Sequence, residues 1–176
     1  MNLRDSDVPR PRSLRTPVRA VAAALTTTLI VTLLTTATLA PAQAAQVRAA
    51  SMASAADTYE QKVQRLVNRR RAARGLPRLK LAGCADGTAE NWSSHLASTG
   101  EFYHQSMSYV LSKCNASYAG ETLGRGTMTP KRLVRLWMRS SAHKKVLISP
   151  KSRRIGVGVT PDKYGRWVVT ANFIRF

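Results

Sequence analysis

The chain has 176 residues, with 28 lysines and arginines against 9 aspartates and glutamates, and a formal net charge of +19. This length corresponds to one domain that can bury a real core, which excludes a mini-protein held together mainly by its disulfides. The charge favours polyanionic partners of some kind.

The first 44 residues have the three parts of a secretory signal. Arginines come first, at Arg4, Arg10, Arg12, Arg15 and Arg19. An apolar stretch follows over residues 20–40, and Ala42-Gln43-Ala44 then provides a small-x-small cleavage site. We therefore predict a signal peptide over residues 1–44, cleavage after Ala44 and a secreted or envelope-associated protein. The alternative is an uncleaved anchor, because about twenty weakly apolar residues could just span a bilayer, although the threonines dilute the hydrophobicity.

The part that remains after cleavage keeps most of the charge. Loss of five arginines and two aspartates leaves 23 basic against 7 acidic residues, a net charge of +16. Both cysteines, Cys84 and Cys114, lie in this part. In an oxidising compartment such a pair predicts one disulfide. Metal ligation is the weaker alternative, because two isolated cysteines lack the CxxC spacing of zinc sites.

The exported part begins with a lead-in and a helix. Residues 45–56 are small and show no periodicity, so we predict a flexible segment there and a domain over residues 57–176. Asp57 and Glu60 are spaced as a helix-capping pair, and apolar residues then recur on one helical face. These are Tyr59, Val63, Leu66 and Val67. The first helix should end near Gly75.

Three further helices follow in the predicted order. A second helix is predicted over about 82–98, and a third begins at Thr129-Pro130 and runs to about 139 or 140. A short helix over 142–148 should end before Pro150. Between them, residues 101–128 contain one short helical turn near 107–114 and several glycines, and we interpret the rest as loop.

The C-terminal segment predicts a β-hairpin. Ile155, Val157 and Val159 alternate with Gly156 and Gly158 before a turn and a second alternating run over 167–173. Glycines on one face of the first strand indicate that another element packs very close to it.

Five motifs together resemble one family. In order they are Leu66-Val67-Asn68-Arg69-Arg70-Arg71-Ala72 with Gly75-Leu76, Glu101-Phe102-Tyr103-His104, Gly120-Glu121-Thr122, Trp137-Met138-Arg139-Ser140-Ser141-Ala142-His143, and Ile155-Gly156-Val157-Gly158-Val159. Their order and spacing resemble the bacterial CAP superfamily, which contains cysteine-rich secretory proteins, antigen 5 and pathogenesis-related 1 proteins and is also known as the SCP domain. The resemblance covers residues 57–176 and implies an α+β fold, an α/β/α sandwich with a cleft and the C-terminal β-hairpin.

The resemblance also implies a site. Animal and plant members hold two histidines and two glutamates that can bind a divalent metal, and His104 and Glu121 match one of each. The match ends there, since Ser140 stands where the second glutamate is expected and Val168 where the second histidine is expected. His143 belongs instead to the bacterial Ser-x-x-His pattern.

Two interpretations of these cleft residues follow. His104, Glu121 and His143 could ligate a divalent metal such as zinc and leave one position open for water. Alternatively, Glu121 accepts hydrogen bonds from His104 and from backbone and so fixes the loops around the cleft. Because the catalytic set is incomplete and no Gly-x-Ser-x-Gly motif accompanies Ser140, we expect binding rather than catalysis.

The predicted function is therefore that of a secreted module that binds an envelope lipid or an anionic wall polymer. The alternatives are a metal-dependent hydrolase and a polyanion binder without a defined site. Export and the lack of a nucleic-acid motif exclude nucleic acid as the partner, the membrane is contacted only through the signal segment or surface charge, and we expect a monomer. The basic surface around the end of the first helix is predicted from Arg65, Arg69, Arg70, Arg71, Arg74, Arg78 and Lys80.

Overall fold

The computed structural model describes residues 41–176. Residues 1–40 of the predicted signal segment lie outside this range. Nine elements follow one another in this range: α1 (Pro41–Ala72), β1 (Lys80–Leu81), α2 (Gly83–Thr99), α3 (Met107–Lys113), β2 (Tyr118–Gly126), α4 (Pro130–Arg139), α5 (Ser141–Leu147), β3 (Arg154–Pro161) and β4 (Trp167–Arg175). None of the helices within 41–176 combines the length and the apolar character needed to span a membrane.

The four strands form one mixed sheet in the order β1-β3-β4-β2. β3 and β4 pair antiparallel as the predicted hairpin, with Gly165 in the connecting turn at a φ of 72°. β2 adds antiparallel to β4, and β1 adds parallel to β3. β2 is therefore an edge strand, and the carbonyl of Leu123 in it accepts a hydrogen bond from the indole N–H of Trp137 in α4.

Helices cover both faces of this sheet. Val157 and Val159 of β3 face a core that contains Val63 of α1 and Trp137 of α4. Gly156 and the second strand glycine, Gly158, face α2 on the opposite side. The result is the predicted α/β/α sandwich.

The two strand glycines allow α2 to touch the sheet backbone. A Cβ atom built at Gly156 would lie 2.1 Å from the carbonyl carbon of Ala85, and one at Gly158 would lie 2.3 Å from that of Ala89. Such distances leave no room for any side chain. This confirms the prediction that another element packs very close to this strand.

α1 begins earlier than the sequence predicts. Residues 45–56, expected as a flexible lead-in, are helical and continue directly into the amphipathic part of α1. Alanine has the highest helix propensity, and the segment is rich in it. Ala56 is buried in this stretch while the other residues are exposed, so apolar periodicity could not signal the helix. The predicted cleavage point after Ala44 falls inside α1.

One segment predicted as loop is a strand, and a second short strand has no counterpart in the prediction. Residues 118–126 form β2, although glycines normally weaken a strand, because β4 supplies a full ladder of partners for it. A Cβ atom at Gly124 would lie 2.4 Å from Cδ1 of Leu133 in α4, so a larger residue there would force this buried side chain to move. β1, with two residues, was too short to be predicted from alternation.

Arg71 is buried rather than part of the basic surface. Its exposed fraction is 0%, and its guanidinium donates hydrogen bonds to four backbone carbonyl groups. These belong to Pro77, Leu147, Ser149 and Ser152. Burial lowers the pKa of Arg71. The side chain joins the end of α1 to the connection between α5 and β3, where backbone carbonyls would otherwise lack donors.

The predicted disulfide is present. Cys84 in the first turn of α2 is bonded to Cys114 at the end of α3, with a distance of 5.6 Å between their Cα atoms. The bond closes a loop with a sequence separation of 30 and holds α3 against α2 just before β2 begins.

Candidate functional site

A cleft opens beside the edge strand β2. Its cavity has a volume of about 350 Å³ and lies between β2, α5 and the segment that leads into α3. The lining residues are His104, Met107, Gly120, Glu121, Ala142, His143 and Val146. The structure therefore places three of the predicted site residues, His104, Glu121 and His143, around one cavity.

His104 and Glu121 form a close pair in this cleft. Nδ1 of His104 lies 2.5 Å from Oε1 of Glu121. The Glu121 side chain is 2% exposed, whereas that of His104 is 58% exposed. Because an ionised carboxylate only accepts hydrogen bonds, Nδ1 of His104 carries the proton in this bond.

Gln105 encloses the remaining part of the Glu121 carboxylate. Its side-chain amide donates to Oε2 of Glu121 at 2.6 Å, and its backbone N–H donates to Oε1 at 3.3 Å. Burial raises the pKa of Glu121, while the bonds from Gln105 and His104 act in the opposite direction. These are the contacts expected if Glu121 fixes the loops around the cleft.

The polar contacts continue through the core to the disulfide. The Gln105 side-chain amide also donates to Oδ1 of Asn172 at 3.2 Å, and Nδ2 of Asn172 donates to Oγ1 of Thr88 at 3.0 Å. The Thr88 hydroxyl in turn donates to the carbonyl of Cys84 at 3.0 Å. Each buried member has a partner, so the chain fixes the orientation of the Glu121 carboxylate.

His143 and Ser140 have different roles. His143 lines the cleft. Its pKa is lowered mainly by burial and further by electrostatic repulsion from His104. Its imidazole therefore stays neutral at and above neutral pH. Ser140 instead caps α5, because its hydroxyl accepts the backbone N–H of His143 at 3.4 Å.

The residues present do not fit the three-ligand zinc site. Within residues 41–176, no group of three or more His, Cys, Asp or Glu side chains is arranged to hold a metal ion. Both Glu121 oxygens accept hydrogen bonds from His104 and Gln105, and the Glu121 side chain is 2% exposed, so little of the carboxylate is open to an ion in the cleft. The imidazoles of His104 and His143 also line the cleft.

Comparison with known proteins identifies the family. The family model described as the cysteine-rich secretory protein family, CAP, matches residues 64–173. The chain belongs to the CAP family. YkwD of Bacillus subtilis is 34% identical over 131 residues, which are 70% of this chain and 51% of that protein. This chain therefore spans about half the length of that curated relative.

Solved structures agree on the CAP fold. An extracellular protein containing an SCP domain from Bacillus anthracis aligns with a TM-score of 0.61 and 23% identity, over 78% of this chain and 44% of that one. A cysteine-rich secretory protein of Staphylococcus aureus aligns with a TM-score of 0.59 and 21% identity, over 69% and 39%. The α/β/α sandwich that the motifs predict is thereby confirmed.

The CAP domain has a second cavity on the other side of Gln105. Its volume is about 430 Å³, and it is lined by Thr88, Asn91, Trp92, His95, Gln105, Ser106 and Tyr109. The rings of Trp92 and His95 stack with centroids 4.8 Å apart. Gln105 thus lines this cavity while its amide nitrogen holds Glu121 on the cleft side.

Sequence reasoning missed Gln105 and Asn172. One signal was available for Asn172, because Thr170 and Asn172 are polar residues that alternate inside an otherwise apolar strand, and both have an exposed fraction of 0%. A buried amide is costly without hydrogen-bond partners, and Asn172 finds them in Gln105 and Thr88. No comparable signal exists for Gln105, since its role depends on where residues 121 and 172 meet in the fold.

Proposed function

We propose that this CAP domain is an exported binding module whose cleft beside β2 holds a small amphipathic ligand from the cell envelope. Export is supported by the arginine-rich and apolar segment over residues 1–44. Relatives described as extracellular or as cysteine-rich secretory proteins support the same location. Edman sequencing of the protein recovered from culture medium tests it, with Ala45 expected as the first residue and Met1 as the contradicting result.

The observation that carries the binding proposal is the mixed lining of the cleft. Met107, Ala142 and Val146 provide an apolar wall, and His104 and His143 provide imidazole nitrogens. A cavity of about 350 Å³ lies in the size range of small-molecule sites, which combine mostly apolar walls with a few polar groups. This pattern fits a short hydrocarbon chain with a carboxyl or hydroxyl head.

The environment of Glu121 favours binding over catalysis. A general base or a metal ligand must be within reach of the substrate or ion, whereas the Glu121 side chain is 2% exposed and its oxygens already accept hydrogen bonds from His104 and Gln105. Ser140 caps α5, and within residues 41–176 its hydroxyl makes no hydrogen bond to an imidazole or a carboxylate that could activate it. The hydrogen bonds of Glu121 and Ser140 thus support a structural role in holding the walls of the cleft in place.

Titration with octanoate tests this proposal. The probe is added to the ¹⁵N-labelled protein, and amide shifts are followed by NMR. We expect the largest shifts at residues around His104, Gly120 and Val146. The variant Ala142→Trp, which fills the cleft from an exposed position, should weaken binding at least tenfold.

A matched control uses Ser108→Trp, which adds the same indole at an exposed position of α3 outside the lining. This control should bind octanoate as the unchanged protein does. Equal binding by the Ala142→Trp variant, or shifts that avoid the cleft, would contradict the proposal. Added zinc should leave the affinity unchanged, and zinc-dependent ester hydrolysis that is lost in Glu121→Ala would establish the metal-dependent hydrolase instead.

A further inference from the structure

A long groove runs along α1 and shares no residue with the cleft. It consists of two adjoining cavities of about 460 and 430 Å³. The first is lined by Lys62, Arg65, Leu66, Arg69, Thr129, Pro130 and Lys131. The second is lined by Ser51, Ser54, Ala55, Thr58, Tyr59, Lys62, Pro130 and Trp167. Because Lys62 and Pro130 line both, the two cavities adjoin, and together they are called the groove.

The α1 residues of the groove lie on one helical face. Intervals of three or four residues separate Ser51, Ser54, Thr58, Lys62, Arg65 and Arg69, the spacing that places side chains one above another. At about 1.5 Å of rise per residue, this stripe is about 27 Å long. The groove can therefore contact an extended chain over several repeating units.

One half of the groove is basic and has no internal counter-ion. Lys62, Arg65, Arg69 and Lys131 are all exposed, and none of them takes part in an ion pair within residues 41–176. The acidic Glu60 of α1 points to the opposite side, where its carboxylate accepts the backbone N–H of β3. Arginine forks and lysine ammonium groups arranged in this way match phosphate oxygens.

The other half of the groove offers hydroxyl groups and an aromatic ring. Ser51, Ser54 and Thr58 are exposed and can both donate and accept hydrogen bonds. Trp167 is partly buried, with its ring 5.7 Å from that of Tyr59, and borders the same cavity. Hydroxyls beside a flat aromatic side chain suit a polyol, which presents hydroxyl groups and CH groups together.

We propose that this groove binds an extended polyol phosphate polymer, with its phosphates at the basic half and its hydroxylated units along Ser51, Ser54, Thr58 and Trp167. The concave shape favours a chain over a flat lipid surface. The large apolar side chains that would enter a bilayer are not exposed in the groove, where Leu66 and Trp167 are partly buried.

The first experiment tests the basic half with poly(glycerol phosphate) as the probe. Affinity is measured by calorimetry at 150 mM salt for the protein and for a variant with Lys62, Arg65, Arg69 and Lys131 replaced by Gln. Loss of four exposed charge contacts, at about threefold each, should weaken binding by about a hundredfold. The matched control replaces Lys80, Lys113, Lys151 and Lys163 by Gln and removes the same charge elsewhere.

The control should change affinity by less than about threefold, because distant exposed charges are screened at this salt concentration. An equal loss in both variants would overturn the site, since it would show attraction by net charge alone. Thermal unfolding of both variants checks that they fold, and we expect unchanged midpoints because all eight positions are exposed.

The second experiment tests the hydroxyl half. Replacing Ser51 and Ser54 by Ala and Thr58 by Val should weaken binding of poly(glycerol phosphate) by about tenfold and leave binding of inorganic polyphosphate unchanged. Equal effects on the two polymers would overturn the polyol assignment. Binding to vesicles that contain phosphatidylglycerol, without binding to poly(glycerol phosphate), would show that the groove recognises a lipid surface and not this polymer.

Discussion

The side chain of Glu60 in α1 points at the sheet, where burial and neighbouring carboxylates disfavour its negative charge. Its Oε1 accepts the backbone N–H of Val159 at 2.9 Å, and the carboxylates of Asp86 and Glu90 lie nearby. Burial is the main reason that its pKa is raised from 4.5 to about 7, and the bond from Val159 opposes the shift. The replacement Glu60→Gln keeps an acceptor for Val159 and removes the charge.

The expected gain in stability depends on pH. Below pH 4.5 both the folded and the unfolded protein hold the Glu60 proton, so the variant and the unchanged protein should be equally stable. Between pH 4.5 and about 7 the unfolded state releases the proton while the folded state keeps it, and stability falls as pH rises. Each unit between the two pKa values corresponds to about 1.4 kcal/mol, and partial exposure reduces the total to about 2 kcal/mol.

Urea unfolding at pH 4, 6 and 8 measures this difference, with the disulfide intact. Glu60→Gln should be about 2 kcal/mol more stable than the unchanged protein at pH 8 and equal to it at pH 4. Glu101→Gln is the control, because its side chain is 58% exposed and its loss should change stability by less than about 0.5 kcal/mol. A pH-independent effect of Glu60→Gln, or a loss of stability at pH 8, would refute the electrostatic reasoning.

Three further changes test the packing around the site. Replacing Cys84 and Cys114 by Ala should lower the free energy of unfolding by about 3 to 4 kcal/mol for a loop of this length, as measured by urea unfolding. Gly158→Ala should prevent folding or cost more than about 3 kcal/mol, because the new Cβ would overlap the backbone of α2. The control Gly87→Ala in α2 has no atom within 4 Å of the new Cβ and should stabilise by about 0.5 to 1 kcal/mol. Comparable thermal midpoints for the two variants would contradict the close contact between β3 and α2. Arg71→Met leaves buried carbonyls without donors and should cost about 3 kcal/mol or more in the same assay, so a loss below about 1 kcal/mol would show that water replaces the guanidinium.

The sequence predicts the helices and the hairpin well because their signals are local. The strand glycines are the clearest case, since alternation of Gly156 and Gly158 with valines indicates both a strand and a close neighbour. Thr129-Pro130 likewise predicts the start of α4, where the Thr129 hydroxyl accepts the N–H of Arg132.

The missed elements depend on partners distant in the chain. β2 contains Gly120 and Gly124 and becomes a strand because β4 pairs with it, which no local pattern around residues 118–126 shows. The candidate site follows the same rule. Motif resemblance finds His104 and Glu121, but the bonds that decide their chemistry come from Gln105 and from Asn172 in the final strand.

The position of Asn172 links the assembly of the cleft to folding of the whole domain. The polar chain that orients Glu121 joins residues 84 and 88 near the start of the domain to residue 172 near its end, across a separation of 84 residues. Contacts of such long range form late in folding, because the entropy of closing the long loop opposes them until other contacts have formed. The cleft should therefore be absent from partly folded forms, and the backbone amide proton of Gln105, which donates to Glu121, should exchange with solvent much more slowly than those of the exposed residues 101–104.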